Sequence, residues 1–374
     1  MSTLATNAIT DASGGNTTSI NGYTPTMSNM AGRNRIINGD MRIDQRNAGA
    51  SVTPSIQSVA YITDRFYFLQ NSSTLPSIQQ STDAPEGFTN SLLFTNTSTG
   101  TTPAYAQVVQ NIEGHNTADL GWGTANAQAI TASFRVKSSL TGTFSVAFRN
   151  ASVNRSYVTT YTISAPNTWE TKTVTVPGDT SGTWLTNNGT GISFIFGLGA
   201  SSGTPTVDQW TTTGNWYLSG SVNVMGTANA TWQITGVQLE AGSVATPFEH
   251  RQYGQELALC QRYFAKSYNQ SVAPGTASNY NGAPGRFVDA TQSYAAVQVF
   301  FPVSMRATPT ATLYNPSTGA TASLRSDSAN HPAVVTQQGE NGFFFFANNS
   351  SIGVSSSCRA VSYTHLRAHE TRHD

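Results

Sequence analysis

The sequence predicts a mostly β protein built around an antiparallel β-sandwich. Charged residues make up only 10% of the 374 residues, against roughly 25% in an average globular domain, and Ser, Thr, Asn and Gly fill the difference. Aromatic residues contribute another 10%, which is enough to form a folded core. Short segments of alternating apolar and polar residues recur along the chain, with one helical pattern among them. This combination favours short strands joined by turns, and the length suggests two or three domains.

Residues 1–33 are predicted to form a flexible N-terminal arm. The run Ser13–Thr18 is made of Ser, Gly, Asn and Thr, which cannot pack a core. The first ten residues have neither a basic start nor an apolar run, so we expect no signal peptide. No stretch approaches eighteen apolar residues, so we expect no membrane insertion.

Residues 34–249 are predicted to form the sandwich. Between Ile130 and Lys137, apolar and polar residues alternate with a period of two, and Phe144, Val146 and Phe148 repeat the pattern after a turn-like segment. The two runs together predict a β-hairpin. Further strands are predicted at Tyr157–Ile163, Thr171–Val176, Ile192–Leu198, Trp216–Val224 and Trp232–Leu239.

The last of these strands predicts a β-bulge. Trp232 and Ile234 share one parity, whereas Val237 and Leu239 share the other. A strand that keeps all four side chains on its core face must absorb one extra residue. Gly236 is the position that tolerates this best, so we expect the bulge at Gly236–Val237.

One helix is predicted, over about residues 250–267, as the main part of a linking segment at 250–268. Its apolar residues are spaced by four, three and four, which places them on one helical face. They are Tyr253, Leu257, Cys260 and Phe264. This stripe is expected either to pack on a sheet of the same chain or to form a seam between copies in an oligomer.

Residues 269–361 are predicted to form a small C-terminal β-domain. Val297, Val299 and Phe301 alternate along the chain until Pro302 ends the run, and Thr308–Tyr314 begins another strand. The continuous apolar run Phe343–Phe346 is typical of a buried strand.

A metal-binding motif occurs at the very end of the chain, and we interpret it as an artefact. His369, Glu370 and His373 match H-E-x-x-H, in which two His ligate zinc and the Glu acts as a general base. However, the chain ends one residue later, before the third ligand that such enzymes need. The run from Val361 to Thr371 also resembles a translated sequencing-adapter read-through of the kind found in metagenomic assemblies. We therefore expect residues 362–374 to be non-native and the C-terminal domain to be truncated.

Other sequence signals for chemistry are weak, and we expect that the protein is not an enzyme. Nineteen basic and nineteen acidic residues give a net charge of zero, which argues against nucleic-acid binding. The densest arginine group, within residues 33–46, is interspersed with Asp40 and Asp44 and is expected to be solvated and self-paired. Two cysteines do not form a disulfide framework, and no nucleophile elbow or phosphate-binding loop occurs.

The six tryptophans raise the question of sugar binding, because an exposed indole stacks on a sugar ring. All six lie within residues 122–232. Trp232 lies in a patterned strand and is predicted to be in the core. Trp184 and Trp210 lie in segments rich in Ser, Thr and Gly, so we expect them to be more exposed and name them as candidate glycan-binding residues.

Four segments, taken in order, resemble bacteriophage and prophage tail-fibre-like proteins. The opening segment Asn34–Asn47, with Asp64–Phe66 after it, is similar to the start of many such proteins. Thr235–Gly242, followed by Thr246–Glu249, resembles the closing strand of their jelly-roll module, which is similar to carbohydrate-binding modules. Leu257–Phe264 resembles the helix that follows, and Phe301–Thr310 resembles their C-terminal β-domain.

The resemblance implies a structural virion protein, a tail fibre or receptor-binding component assembled in the host cytoplasm. Its implied partners are host cell-surface glycans and other tail proteins, and its implied state is a homotrimer. The resemblance supplies no catalytic residues, and it leaves a structural Ca²⁺ open. Two alternatives remain: a carbohydrate-binding module of a surface or secreted protein, and a tail-associated polysaccharide depolymerase. The depolymerase alternative is weakened by the lack of a fixed-period repeat.

Overall fold

The structure is a computed structural model. It describes residues 32–73, 75–97, 102–204, 206–277, 285–287, 294–325, 329–348, 357–359 and 361–365. The predicted N-terminal arm therefore lies outside the described residues, apart from Gly32 and Arg33.

The first part of the chain forms twelve strands in the described residues. They are β1 (Ala60–Thr63), β2 (Phe66–Gln70), β3 (Ser77–Ser81), β4 (Ser91–Thr95), β5 (Ala106–Glu113), β6 (Ile130–Ser138), β7 (Gly142–Arg149), β8 (Ser156–Ile163), β9 (Glu170–Val176), β10 (Thr190–Gly199), β11 (Trp210–Thr211) and β12 (Thr231–Ala241). Two short 3-10 helices, Gly114–Asn116 and Ala118–Leu120, follow β5.

These strands form two antiparallel sheets packed face to face. The seven-stranded sheet has the order β1-β2-β5-β10-β7-β8-β11, and the five-stranded sheet has the order β3-β4-β12-β6-β9. Aromatic side chains from both sheets, such as Phe68, Phe134, Phe196 and Trp232, are fully buried between them. The predicted class, a mostly β antiparallel jelly-roll sandwich, is confirmed.

The predicted hairpin between residues 130–137 and 144–148 is wrong. β6 pairs with β9 and β12 in the five-stranded sheet, whereas β7 pairs with β8 and β10 in the seven-stranded sheet. The short connection at 139–141 therefore crosses from one sheet to the other. The alternating pattern identifies which face of a strand is buried, but it does not identify the partner strand.

The predicted bulge in β12 is confirmed. The register of β12 against β6 shifts between Thr235 and Gln238, and Gly236 adopts a left-handed φ of 60°. Trp232, Ile234, Val237 and Leu239 are consequently all fully buried, so the extra residue keeps every apolar side chain on the core face.

The predicted strand Trp216–Val224 is wrong, because this segment forms turns. The Tyr217 hydroxyl donates hydrogen bonds to the carbonyl oxygens of Ser221 and Val222 at 2.8 and 3.1 Å. Gly220 has a positive φ of 85°. These features turn the chain back on itself. In place of a continuous strand pairing, this segment makes one isolated parallel bridge, between Leu218 and Thr204.

The predicted helix is present but shorter: α1 spans Tyr253–Gln261. Phe264 was predicted on the helical stripe, but it lies in strand β13 (Phe264–Lys266). The helix ends before it because the Tyr263 N–H donates to the Cys260 carbonyl at 2.9 Å, which closes a tight last turn. Cys260 packs with Ile37 and Ile43 of the opening segment, so part of the stripe packs within the chain.

The arginine-rich opening segment is only partly self-paired, and it is not solvated. Arg42 pairs with Asp40 as expected, but Arg46 pairs with Asp64 at 3.7 Å. Gln45 is fully buried, and burial raises the pKa of the Asp44 carboxyl to about 6. The segment lies inside the molecule because its apolar residues, among them Ile36 and Met41, join the sandwich core.

In its described residues, the chain after the helix forms three small antiparallel sheets. Its strands are β13, β14 (Gly285–Phe287), β15 (Tyr294–Phe300), β16 (Thr310–Tyr314), β17 (Ser323–Arg325), β18 (Asn330–Pro332), β19 (Val334–Gly339), β20 (Gly342–Asn348), β21 (Ser357–Arg359) and β22 (Val361–His365). The sheet orders are β13-β22-β16, β14-β21-β17-β18 and β15-β20-β19. Val297, Leu313, Phe343 and Phe345 lie in a second hydrophobic core, whereas Phe344 and Phe346 are half-buried. The domain bounds at residues 249, 268 and 361 stay predictions.

Part of the segment that we interpret as non-native lies in β22. Its backbone pairs with β13 on one side and with β16 on the other. The non-native origin of residues 362–374 stays a prediction, and residues 366–374 lie outside the described residues.

Within the described ranges, no helix is both long and apolar enough to cross a lipid bilayer.

Candidate functional site

The outer face of the seven-stranded sheet carries an unusual set of side chains. Along β5, Ala106, Val108 and Ile112 point into the sandwich core. Because side chains alternate along a strand, Gln107, Val109 and Asn111 point to the opposite face. The same alternation on the neighbouring strands builds a surface from side chains that are distant in sequence.

The strand register arranges these side chains in rows across the sheet. Asn111 of β5 lies opposite Ser193 of β10, and Ser193 lies opposite Arg149 of β7. The Ser193 hydroxyl donates to Asn111 Oδ1 at 2.7 Å. Three neighbouring strands thus contribute one continuous polar row.

An apolar row lies beside the polar one. Tyr67 lies opposite Val109, Val109 opposite Ile195, and Ile195 opposite Ala147. These residues form a hydrophobic cluster separate from the sandwich core. The Tyr61 and Tyr67 rings meet edge to face at 5.7 Å.

A cleft of about 780 Å³ lies over this part of the sheet. Its floor includes the polar row and Tyr67, and its lining also includes Tyr105, Gln107, Val153 and Arg306. We call it the sheet cleft. Val109, Ile195 and Ala147 of the apolar row are fully buried beneath other side chains, so the apolar part of the described lining comes from side chains such as Tyr67, Leu69, Tyr105 and Val153. Apolar side chains beside a row of hydrogen-bonding groups fit an elongated ligand with apolar faces and polar edges.

The C-terminal part of the chain closes one end of the sheet cleft. Arg306 Nη1 donates to the Asn188 carbonyl at 2.6 Å, and Asn188 Nδ2 donates back to the Arg306 carbonyl at 3.1 Å. The Arg306 N–H also donates to the Arg262 carbonyl at 2.9 Å. These bonds fix the position of Arg306 relative to the sandwich.

Arg262 is itself anchored to the sandwich through Glu113. Its guanidinium contacts both carboxylate oxygens, at 2.6 and 3.0 Å, and the Tyr263 hydroxyl donates at 2.7 Å. Burial alone would raise the pKa of Glu113, but these hydrogen bonds hold the pKa below its ordinary value. The carboxylate therefore stays charged and keeps the anchor in place.

Two side chains in the sheet cleft are buried without full hydrogen bonding. Gln107 is 5% exposed, and its Oε1 accepts no hydrogen bond from the described residues. Arg149 Nε is likewise buried without an acceptor, and desolvation lowers the pKa of the guanidinium below its ordinary value. Buried polar groups normally find partners, but the same lack of a partner occurs at Nε of Arg35, Arg42 and Arg65, which do not belong to the described lining.

The charged side chains in the described lining of the sheet cleft are all positive. Its described lining includes two arginines, Arg149 and Arg306, and neither an aspartate nor a glutamate. The chain as a whole is neutral, so the local excess of positive charge belongs to this surface.

The predicted glycan-binding tryptophans lie elsewhere, in a cluster with Trp122. The ring centroids are 4.6 Å apart between Trp122 and Trp184, 5.2 Å between Trp122 and Trp210, and 5.4 Å between Trp184 and Trp210. The expected exposure of Trp184 is wrong, because it is only 9% exposed. Trp210 is half-buried and donates from Nε1 to the Pro177 carbonyl at 2.8 Å. A role of either residue in glycan binding stays a prediction.

The predicted oligomer seam is mostly inaccessible in the single chain. Cys260 and Phe264 are buried within the chain, so neither is available to a second copy. Leu257 is half-buried, and Tyr253 is 46% exposed. A seam between copies stays a prediction that rests on Tyr253 and Leu257.

The terminal motif of His369, Glu370 and His373 lies outside the described residues. Among the residues that are described, no three His, Cys, Asp or Glu side chains are grouped so as to hold a metal ion. A structural Ca²⁺ is therefore not assigned to any residues.

Sequence reasoning missed the sheet cleft. Gln107, Asn111, Arg149 and Ser193 belong to three strands that lie far apart in sequence, and each one alone looks like an ordinary solvent-facing strand residue. The one available signal was in β10, where Ile195 is apolar although it lies on the parity opposite to Phe194 and Phe196. An apolar residue on the second parity indicates that the outer face of the sheet is partly covered.

Comparison with known proteins gives matches among solved structures alone. No protein family model and no curated protein matches the chain. The enzymatically active domain of tailspike protein 4 from bacteriophage CBA120 matches with 13% identity and a TM-score of 0.31, over 56% of this chain and 21% of that chain. A family 4 carbohydrate-binding module matches with 15% identity and a TM-score of 0.30, over 55% of this chain and 97% of that one.

A third match is the family 11 carbohydrate-binding module from Clostridium thermocellum, solved with a β-1,3-1,4-mixed-linked tetrasaccharide. It has 12% identity and a TM-score of 0.28, over 54% of this chain and 98% of that one. Likenesses of this size say nothing about the ligand of this chain.

Proposed function

We propose that the jelly-roll sandwich is a carbohydrate-binding module whose ligand lies in the sheet cleft. The observation that carries this proposal is the lining of the sheet cleft, which sets the side chains of Tyr67, Leu69 and Tyr105 beside the polar row from Asn111 to Arg149. A sugar ring has an apolar face and a rim of hydroxyls, so it matches the apolar and the polar side chains of this lining at once. The amide of Gln107 also belongs to the lining and offers hydrogen-bonding groups to a sugar hydroxyl.

Binding without cleavage is the activity that this surface supports. Glycoside hydrolysis by the usual mechanisms needs two carboxyl groups, one on each side of the scissile bond. The described lining of the sheet cleft contains no Asp or Glu. We therefore propose that the protein holds a glycan chain and is not a depolymerase.

The setting that we propose for this module is host attachment by a phage virion. This rests on the order of the four sequence segments that resemble tail-fibre-like proteins. The protein would then be assembled in the host cytoplasm and carried on the tail with other tail proteins. The alternative, a module of a surface or secreted protein, uses the same cleft and differs in the oligomeric state.

Replacement of Tyr105 by alanine is expected to weaken glycan binding. Tyr105 is half-buried in the lining of the sheet cleft. Covering about 40–60 Å² of its ring at about 25 cal/mol per Å² gives about 1–1.5 kcal/mol, which is roughly a 5- to 12-fold loss in affinity. The measurement is isothermal titration of the full chain against a panel of bacterial surface polysaccharides.

The matched control is Tyr253→Ala. Tyr253 is 46% exposed on the helix and does not belong to the described lining of the sheet cleft. The control should bind as the unchanged protein does. Equal affinities for the two variants, or no binding to any glycan, would rule out the proposed function.

The fibre setting predicts a trimer in solution. Light scattering coupled to size-exclusion chromatography should give three times the 39.7 kDa mass of one chain. A single-chain mass would instead favour an isolated module, because the resemblance to tail-fibre-like proteins implies a homotrimer.

A further inference from the structure

Arg149 lines the sheet cleft without a carboxylate partner. Two other arginines are held by carboxylates, since Arg155 contacts Asp179 at 2.5 Å and Arg262 contacts Glu113 at 2.6 Å. Arg65 instead donates to the Asn111 carbonyl and lies over the Tyr263 ring. Among the described residues, no carboxylate lies within 4 Å of the Arg149 guanidinium. The guanidinium donates a long hydrogen bond from Nη1 to the Gly214 carbonyl, at 3.3 Å.

The unpaired side of this guanidinium has a defined shape. Nη1 is directed to Gly214, whereas Nε is shielded from solvent and has no acceptor. Nη2 donates no hydrogen bond within the described residues and, unlike Nε, is not shielded from solvent. Its two N–H groups are available to the oxygens of an anion in the cleft.

The surroundings of Arg149 also favour an anion. An arginine stays protonated even when it is partly desolvated, and a buried charge without a counter-ion is costly. Ser193 donates to Asn111 Oδ1, which leaves the Asn111 Nδ2 group as a further donor beside Arg149 in the polar row. Arg306 adds a second positive charge to the lining.

We propose that the glycan bound in the sheet cleft is acidic, and that a sugar carboxylate accepts hydrogen bonds from Nη2 of Arg149. Uronic and ulosonic acids are the sugar classes that carry such a group. This inference rests on the proposed function and narrows it, because it names the class of glycan.

The test uses isothermal titration of the full chain against defined polysaccharides. The acidic probes are polygalacturonate, alginate and polysialic acid, each compared with its own carboxyl-reduced form. The neutral probes are mixed-linked β-glucan, xylan and mannan, and polyglycerol phosphate tests whether a phosphate replaces the carboxylate. We expect at least one acidic probe to bind and its carboxyl-reduced form to lose roughly 10- to 100-fold in affinity, which is the range of a charge-assisted hydrogen-bonded pair.

Substitutions of Arg149 test whether this side chain is responsible for the preference for acidic glycans. Arg149→Gln should lose the same roughly 10- to 100-fold for the acidic probe, whereas Arg149→Lys should lose less because it keeps the charge without the guanidinium. The matched control is Arg135→Gln, which makes the same charge change on an exposed residue of the five-stranded sheet. Melting temperatures of all variants establish that each is folded.

The outcomes separate the two proposals. Binding to neutral glycans alone, equal binding before and after carboxyl reduction, or preference for polyglycerol phosphate overturns the acidic-sugar inference and leaves the module intact. Failure of all probes to bind overturns this inference and the proposed function together. If Arg149→Gln and Arg135→Gln weaken binding equally, the acidic-sugar inference is also overturned, since a general charge effect would then account for the affinity.

Discussion

Trp184→Ala is expected to lower the free energy of unfolding by about 3–5 kcal/mol, the range for removing a large aromatic side chain from a packed site. Trp184 is 9% exposed and contacts the rings of both Trp122 and Trp210. Its Nε1 donates to Asp179 Oδ2 and to the Ser181 carbonyl, both at 3.2 Å. The substitution therefore removes packing and also leaves a carboxylate oxygen with one donor fewer. Urea unfolding followed by tryptophan fluorescence measures the change.

The control for this prediction is Trp169→Ala. Trp169 is half-buried at the surface, where Lys137 lies 5.1 Å over its ring. We expect a loss of about 1 kcal/mol or less. Equal losses of stability in the two variants would contradict the structural role of Trp184. If Trp184→Ala keeps full stability and loses glycan binding, the tryptophan cluster is a binding surface.

Gly39→Ala is expected to destabilise the fold by about 2–4 kcal/mol. A Cβ at Gly39 would lie 2.1 Å from the Val237 carbonyl oxygen, which is far inside van der Waals contact. The two backbones cannot separate freely, because the Val237 N–H donates to the Gly39 carbonyl at 2.9 Å. Relief of the clash therefore costs this hydrogen bond or displaces the bulge of β12.

Gly254→Ala provides the matched control. Gly254 lies in α1, and a Cβ there would meet nothing within 4 Å. Alanine is a better helix former than glycine by about 1 kcal/mol, so this variant should be as stable as the unchanged protein or more stable. Thermal unfolding of the two variants in parallel measures the difference. Equal melting temperatures would contradict the close approach of the opening segment to β12.

The bulge and the sandwich class were predictable because both follow from the local pattern of apolar residues. The parity change between Ile234 and Val237 has one simple structural solution, and Gly236 provides it. Which strands pair with each other was not predictable in the same way. The segments 130–137 and 144–148 have the patterns of two adjacent strands, yet they belong to opposite sheets. A strand with one buried face has the same sequence pattern in either sheet of a sandwich.

The exposure of Trp184 was mispredicted because its Ser-, Thr- and Gly-rich surroundings look like a solvated loop. The glycines instead permit close packing: a Cβ at Gly182 would lie 2.5 Å from Arg155 Cγ. The Ser181 N–H donates to Asp179 Oδ1 at 3.1 Å, and this folds the loop over the indole. Composition alone does not distinguish a loop that is open from one that is folded back.

The sheet cleft could not be predicted from the sequence because it depends on strand register. Asn111, Ser193 and Arg149 become neighbours only when β5, β10 and β7 lie side by side in one particular alignment. A shift of one residue in any of these strands would turn the polar side chains to the core. The binding surface is thus a property of the whole sheet.

A crystal structure of the full chain with a bound oligosaccharide tests the central claim most directly. The ligand should be the tightest-binding glycan from the titrations, cut to three to six sugar units. The account predicts sugar rings in the sheet cleft against Tyr67 and Tyr105, with polar contacts to Gln107 and a carboxylate on Arg149. Sugar bound instead at the cluster of Trp122, Trp184 and Trp210, or on the five-stranded sheet, with the sheet cleft empty, would contradict it.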